Sequence, residues 1–181
     1  MSLPVQSLDA YSSVIRHRGL LAVRYFLWYM IFRPLVSSYI PGSYWRTLLL
    51  RLFGSQIGIN CRIKPRVCIT YPWNLTVGEY CWLGEGLWID NLTTVVIGSH
   101  VCLSQGSYLC TGNHNYRQPS FTLRLGAIHV CSEAWIAANS VLAPGVTIGS
   151  GAVVSLGSVV LADVPQNAIV RGNPAFVVGQ R

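Results

Sequence analysis

The sequence AWIAANSVLAPGVTIG, residues 134–149, places an aliphatic side chain at every sixth position. These side chains are Ile136, Leu142 and Ile148, and each is followed four residues later by a small or modest one. A period of six does not match the 3.6-residue turn of a helix and is longer than a hairpin unit. It does match one flat side of a three-sided solenoid, a short strand followed by a turn, in which three sides make a coil of about eighteen residues.

The same spacing extends over most of the chain, with two slips and one interruption. All of the positions hold Ile, Leu or Val. They are Ile57, Ile63, Ile69, Leu75, Val77, Leu83, Ile89, Val95, Ile97, Leu103, Leu109, Val130, Ile136, Leu142, Ile148, Val154 and Val160. We therefore predict an all-β solenoid with these side chains stacked in its interior. Glycine often directly follows the aliphatic, as at Gly58 and Gly78. We expect glycine and asparagine to take the positive-φ turn positions.

The repeat divides the chain into three parts. Residues 1–56 are an apolar and basic N-terminal segment, in which a helix is expected over residues 45–53. Residues 57–165 are the solenoid, and residues 166–181 are assigned to a C-terminal tail. The repeat stops after Leu109 and resumes near Ile128, so we expect a loop ejected from the solenoid near residues 112–127.

Residues 20–40 read LLAVRYFLWYMIFRPLVSSYI, an apolar run of nearly membrane-spanning length. Arg24, Arg33 and Pro34 interrupt it, and a charge inside a membrane-spanning helix is costly. Three arrangements stay open for this helix. It packs on the rest of the protein or on a neighbouring subunit, it makes peripheral contact with the inner face of a membrane through residues 14–53, or it spans the membrane.

Composition excludes several classes of protein. With 51% hydrophobic and 10% charged residues the chain is too apolar to be disordered, and its 17 glycines lack the three-residue period of collagen. The 13 basic residues outnumber the 6 acidic ones, but the excess lies mainly in the apolar N-terminal segment, which argues against nucleic-acid binding. The 6 cysteines show no CxxC or zinc-finger spacing, so we expect reduced thiols in a cytoplasmic protein.

Three further motifs accompany the repeat: Tyr71-Pro72-Trp73-Asn74-Leu75, Thr111-Gly112-Asn113-His114-Asn115-Tyr116 and Gly172-Asn173-Pro174-Ala175. Together with the repeat they resemble the hexapeptide-repeat acyltransferases, and most closely the acetyltransferases of the colanic-acid-biosynthesis type. The resemblance covers nearly the whole chain. It implies a left-handed parallel β-helix and a homotrimer with sites between subunits. It also implies acetyl-CoA as co-substrate, no metal, and a saccharide acceptor in exopolysaccharide or other glycan biosynthesis.

His114 lies where the coil gives way to the ejected loop. Acyl transfer from a thioester to a hydroxyl needs a base near neutral pH, and imidazole has a suitable pKa. The resemblance implies that His114 is this base in an O-acetyltransferase acting on a sugar hydroxyl. Without the resemblance, the sequence context favours an exposed loop histidine with no catalytic role.

The remaining candidate site residues depend on the resemblance. For the acceptor they are Asp90, Asn91, Tyr116 and Arg117, and for acetyl-CoA they are Trp135, Ala137, Ala138, Ser140, Ala143, Ser155, Ser158 and Arg171. Asp and Asn also favour turns, and the small residues also suit solenoid corners, so a purely structural role stays open. Phe176 stands where the family commonly has a Lys or Arg after Asn-Pro-Ala, which removes one cation expected near a CoA phosphate.

Two other functions compete with acetyl transfer. One is a non-catalytic β-helix that serves as a scaffold or a membrane-docking element. The other is a zinc carbonic anhydrase with the same fold, which would need three histidine ligands. His100, His114 and His129 are 14 and 15 residues apart and include no close pair, so no metal is expected.

Overall fold

The computed structural model describes residues 6–11 and 20–181. Its helices are α1 (Leu20–Leu27), a π-helical stretch (Trp28–Phe32), α2 (Arg33–Val36) and α3 (Tyr44–Leu52), and single 3-10 turns occur at Leu8–Ala10 and Pro72–Asn74. The helix predicted over residues 45–53 is confirmed. The part of residues 14–53 that precedes Leu20 lies outside the described residues. Within the described ranges, no helix has the length and hydropathy needed to cross a bilayer.

The strands wind around a three-sided parallel β-helix of about six coils. The first three coils contain β1 (Gln56–Ile57), β2 (Arg62–Ile63), β3 (Cys68–Ile69), β4 (Leu75–Val77), β5 (Trp82–Leu83), β6 (Trp88–Asp90), β7 (Val95–Ile97), β8 (Cys102–Leu103) and β9 (Tyr108–Cys110). A hairpin of β10 (Gly112–His114) and β11 (Leu123–Leu125) follows. The later coils contain β12 (Ile128–Val130), β13 (Trp135–Ile136), β14 (Val141–Leu142), β15 (Thr147–Ile148), β16 (Val153–Val154), β17 (Val159–Val160), β18 (Ala168–Gly172) and β19 (Ala175–Gln180).

Three parallel sheets form the flat sides of the helix. The first face has the strand order β1-β4-β7-β12-β15, the second β2-β5-β8-β13-β16-β18 and the third β3-β6-β9-β14-β17. Strand β19 pairs antiparallel with β18, so much of the segment assigned to a C-terminal tail continues the second face. Because β9 belongs to the third face and β12 to the first, the hairpin β10–β11 leaves the helix at the corner between these two faces.

The aliphatic repeat forms the core of the solenoid. Every one of its positions is at most 7% exposed, and Ile89, Leu109 and Leu142, which follow one another on the third face, are fully buried. Burying one such side chain contributes about 1.5–3 kcal/mol. The predicted solenoid is therefore confirmed.

Glycine serves two different purposes in the coils. The glycines directly after the aliphatics do not have positive φ. At Gly84, a Cβ atom would lie 2.5 Å from the backbone nitrogen of Gln105 in the next coil, so the side chain is missing because the coils approach closely. Positive φ occurs at the third residue after an aliphatic, where glycine, as at Gly86 (φ 69°), and asparagine, as at Asn60 (φ 56°), share the turn positions as predicted.

The helices of residues 20–53, here called the helical cap, cover the first coil. Strands β1, β2 and β3 each stand at the edge of one face, where backbone groups would otherwise lack partners. The cap supplies these partners through hydrogen bonds from Trp28 Nε1 to Ile69 O (3.3 Å), from Arg51 Nε to Ile57 O (3.0 Å), and between the Ser43 hydroxyl and both backbone groups of Ile63 (3.1 Å each). The cap therefore closes one end of the solenoid.

Candidate active site

The hairpin that leaves the β-helix carries the predicted catalytic residue. Strands β10 and β11 pair antiparallel, with His114 opposite Leu123. Thr111 anchors the hairpin, because its N–H and its hydroxyl both donate to the Asp90 carbonyl, at 3.1 and 2.8 Å. The Gly126 N–H donates to the Thr111 carbonyl at 2.9 Å. His114 therefore lies on a strand of fixed register and not in an open loop.

The His114 imidazole is half-buried and has a fixed orientation. Its Nδ1 lies 2.9 Å from the carbonyl oxygen of Phe121, and the two rings stack with centroids 4.3 Å apart at an angle of 5°. A carbonyl oxygen only accepts hydrogen bonds, so Nδ1 carries the proton of the neutral ring and the lone pair is on Nε2. Phe121 has a φ of 46°, an uncommon conformation for a bulky residue, and the Tyr11 ring lies 5.6 Å from the imidazole.

The two predicted acceptor residues at the end of β6 have different environments. Asp90 is half-buried on the third face, where its carboxylate accepts hydrogen bonds from the hydroxyls of Thr70 (2.9 Å) and Tyr108 (3.4 Å). Asn91 is fully buried. Its amide accepts from the Tyr71 N–H at 2.9 Å and donates to the Tyr71 carbonyl at 2.6 Å. Asn91 thus joins two coils, and in this chain its side chain has no exposed surface.

The phenols around Asp90 hold their protons at neutral pH. Burial, followed by the charges of Tyr25 and Asp90, raises the pKa of Tyr71 to about 12. Burial also raises the pKa of Tyr108 above its ordinary value, with further contributions from Cys110 and Asp90. The Tyr108 hydroxyl is therefore a hydrogen-bond donor to the Asp90 carboxylate.

Tyr116 and Arg117 lie at the exposed turn of the hairpin. The Tyr116 N–H donates to the His114 carbonyl at 3.1 Å, and the Arg117 guanidinium carbon lies 5.8 Å from the centre of the Tyr116 ring. The hairpin thus combines the imidazole, an exposed aromatic ring and a cation.

A groove on the second face contains four of the predicted acetyl-CoA residues: Trp135, Ala137, Ala138 and Ser155. Its volume is about 470 Å³. The Trp135 indole is held by a hydrogen bond from Nε1 to the hydroxyl oxygen of Ser104 at 2.9 Å. The two alanines leave little side chain between the groove and the backbone, which favours an extended ligand that bonds to backbone groups.

A neighbouring cavity of about 590 Å³ continues this groove, and sequence reasoning did not identify it. It shares Trp135 with the first cavity and adds residues from earlier coils of the same face: Lys64, Trp82, Gly84, Glu85 and Cys102. The repeat contained a signal for it. Trp82 and Trp135 each precede an interior aliphatic, so both side chains point outward from the second face.

Three other predicted acetyl-CoA residues lie outside this groove. Ser140 and Ser158 are fully buried at corners of the helix. The Ser140 hydroxyl donates to the Ser155 carbonyl at 3.0 Å, and the Ser158 hydroxyl accepts a backbone N–H at 3.2 Å. Ala143 directly follows β14 on the third face. Arg171 is exposed on β18, two strands along the second face from Trp135.

The three histidines considered as zinc ligands lie in different parts of the β-helix. His100 occupies a positive-φ turn and stacks on Tyr80 with ring centroids 5.1 Å apart, while His129 is exposed on the first face. Among the residues that the structure describes, no three His, Cys, Asp or Glu side chains are placed to bind one metal ion.

Comparison with known proteins gives both sequence and structural relatives. The chain is 41% identical over 179 residues to the Escherichia coli K12 protein named "Putative colanic acid biosynthesis acetyltransferase WcaF", covering 98% of each chain. No model of a known protein family matches the sequence.

Two solved structures have the same fold. Galactoside acetyltransferase in complex with coenzyme A superimposes with a TM-score of 0.81 and 22% identity, covering 96% of this chain and 88% of that one. The hexapeptide-repeat acetyltransferase VCA0836 from Vibrio cholerae, complexed with acetyl-coenzyme A, gives 0.76 and 24% identity, covering 82% and 83%. The left-handed β-helix implied by the resemblance is thereby confirmed.

Proposed function

The chain belongs to the family of hexapeptide-repeat acetyltransferases that includes the Escherichia coli protein WcaF, and on this premise we propose that it transfers the acetyl group of acetyl-CoA to a sugar hydroxyl in polysaccharide biosynthesis. The name of the 41% identical relative supports the polysaccharide context. The name of the galactoside acetyltransferase, crystallised with coenzyme A, supports a saccharide acceptor and a CoA donor.

The observation that carries the proposal is the 2.9 Å distance between His114 Nδ1 and the Phe121 carbonyl oxygen, from which the tautomer of His114 is inferred. With Nδ1 donating to the Phe121 carbonyl, Nε2 is the atom that accepts the proton of the acceptor hydroxyl. The hydroxyl oxygen attacks the thioester carbonyl carbon, the carbon–sulfur bond breaks, and the imidazolium returns its proton to the departing thiolate. The products are the acetyl ester and CoA, and no covalent enzyme intermediate is required.

The groove at Trp135 is the proposed binding site of the donor. An extended pantetheine arm would lie along Ala137 and Ala138, where backbone groups are accessible, and Ser155 lines the same groove. Arg171 is the proposed contact for a CoA phosphate, because an exposed guanidinium forms charge-assisted bonds with phosphate oxygens.

The acceptor sugar is proposed to bind near His114. Asp90 anchors the hairpin through its backbone and offers a half-exposed carboxylate to sugar hydroxyls. Tyr116 and Arg117 at the turn of the hairpin are further candidates. A cytoplasmic location is part of the proposal, since all six cysteines are free thiols.

A homotrimer is proposed because the His114 hairpin and the groove at Trp135 lie on different sides of one chain. The His114 hairpin leaves the corner between the third and first faces, whereas the groove at Trp135 lies on the second face. If the hairpin of one copy reaches the groove of the next, base and donor meet, and a threefold ring closes this head-to-tail contact.

The test measures CoA release and acetylated product, by mass spectrometry, from acetyl-CoA and a panel of oligosaccharides. His114→Gln should lower the rate by about 10²–10⁴-fold. His129→Gln replaces an exposed histidine on the first face and should keep full activity. Light scattering should show the same oligomer for both variants.

Full activity of His114→Gln would reject the assigned base. If wild-type protein releases no CoA with any acceptor and acetyl-CoA leaves its thermal stability unchanged, the non-catalytic scaffold is the better interpretation.

A further inference from the structure

The outer surface of the helical cap is strongly apolar. Val23, Phe26, Met30 and Ile31 on the α1–α2 helix are each more than half exposed, although Trp28 on the opposite side of the same helix is fully buried. A water-facing helix normally carries charged residues on its exposed side. This helix is apolar on both sides, so its outer side needs a cover that the described chain does not provide.

Helix α3 extends the same surface. Leu48 and Leu52 are 56% and 71% exposed. Leu52 lines a shallow apolar cavity of about 370 Å³ together with Val23 and Leu27 of α1. We call the surface formed by Val23, Phe26, Met30, Ile31, Leu48 and Leu52 the outer cap surface.

The two cations within the cap helix, Arg24 and Arg33, are half-buried and held by neighbouring groups. Arg24 donates to the Phe53 carbonyl and lies over the Trp73 ring at 4.7 Å. Arg33 donates to the Cys68 sulfur at 3.1 Å. Arg24, which also lines the cavity at Leu52, is thus held between the end of α3 and Trp73, and Arg33 is held by the first coil, so neither cation extends freely from the outer cap surface.

The sequence around the cap is exclusively basic. Residues 20–78 contain seven Lys or Arg and no Asp or Glu. Of these cations Arg46 is fully buried, and the exposed ones are Arg51, Arg62, Lys64 and Arg66. Arg66 is exposed beside the end of α2, where its guanidinium lies 5.5 Å from the ring of the exposed Tyr39. An apolar surface bordered by positive charge is complementary to a bilayer with anionic headgroups.

We propose that the outer cap surface docks on an anionic lipid bilayer, inserting its apolar side chains among the lipids. A second copy of this chain is a poorer partner, because two caps face to face would bring together only like charges. The cap also closes the end of the solenoid, whereas the ring in the proposed function joins copies along their sides. This last point rests on the proposed function, and in such a ring three caps would face the same way.

The test is flotation of the full chain with vesicles of phosphatidylcholine alone or with about one third phosphatidylglycerol. Wild-type protein should float with the anionic vesicles, and binding should weaken as salt is raised. Phe26→Ser with Met30→Ser should weaken binding at least about tenfold, because it removes two large apolar side chains. Leu161→Ser with Val178→Ser is the matched control, since it removes two exposed apolar side chains far from the cap and should leave binding unchanged.

Acetyl transfer to a water-soluble oligosaccharide, measured in the same samples, separates this proposal from the proposed function. Loss of flotation with retained transfer supports lipid docking. Wild-type protein that does not float, or a cap variant that floats equally well, overturns it. If wild-type protein forms a larger oligomer that the cap variant does not form, the surface contacts a second copy of the chain instead. Met30→Glu alone provides the same comparison if the double variant does not fold.

Discussion

Asn91→Asp replaces the side-chain NH₂ group of Asn91, which connects two coils, with an oxygen. The Asn91 amide is fully buried and both of its polar atoms bond to the backbone of Tyr71. The substitution retains the oxygen that accepts from the Tyr71 N–H. It replaces the NH₂ group that donates to the Tyr71 carbonyl at 2.6 Å with a second oxygen. An ionised carboxylate would then face a carbonyl oxygen without solvent, so the introduced carboxyl must hold a proton to keep both bonds.

The loss of stability follows from the free energy needed to keep this carboxyl protonated. A carboxyl with an unfolded-state pKa near 3.9 requires about 1.4 kcal/mol per pH unit to stay protonated above that value. At pH 7 the loss in free energy of unfolding should therefore approach about 4 kcal/mol, and near pH 4 it should fall to about 0.5 kcal/mol. The folded-state pKa of the introduced group is raised above its unfolded value, so stability is retained at low pH and lost as pH rises.

Urea unfolding at a fixed protein concentration, between pH 4 and pH 8, measures this difference against wild-type protein at each pH. Asn60→Asp is the control, because Asn60 is exposed and should show little pH-dependent loss. If Asn91→Asp were as stable as wild-type protein at pH 7, the Asn91 amide would not bridge the coils, and the structural role argued for it would be wrong.

Three further outcomes are expected. Leu109→Ala should lower the free energy of unfolding by about 2–5 kcal/mol in urea titrations, because Leu109 is fully buried in the stack of the third face. Gly84→Ala should lower the melting temperature far more than Gly157→Ala, since the new methyl group meets backbone at Gly84, whereas Gly157 has open space and only an unfavourable φ of 67°. Trp135→Ala should raise the Kd for CoA at least about tenfold in calorimetry, and an unchanged Kd would place the donor elsewhere.

The fold could be predicted from the sequence because the contact that determines it, the stacking of inward aliphatic side chains, repeats at short intervals along the chain. Each coil repeats the same inward aliphatic, so Ile136 and Leu142 identify the interior without knowledge of distant contacts. The interruption after Leu109 likewise marked the hairpin, since a solenoid that leaves its path must stop the repeat.

The details of the site depended on contacts that spacing does not reveal. The tautomer of His114 is set by the Phe121 carbonyl, which only the turn of the hairpin brings within 2.9 Å. Asp90 and Asn91 are neighbours with similar side chains, yet one faces outward and the other inward. The sequence does not predict which side chain faces inward. The chain turns a corner between the two residues, so the alternation of a strand no longer applies.

The closed end of the β-helix has a consequence for assembly. A stack of identical rungs has no intrinsic length limit, and an open rung offers the same hydrogen-bonding ladder to another molecule as to its own chain. Trp28, Ser43 and Arg51 occupy one such ladder on each side of the prism. The helices therefore block further strand pairing at this end, and a chain shortened to begin near residue 55 would expose three unpaired strand edges at once.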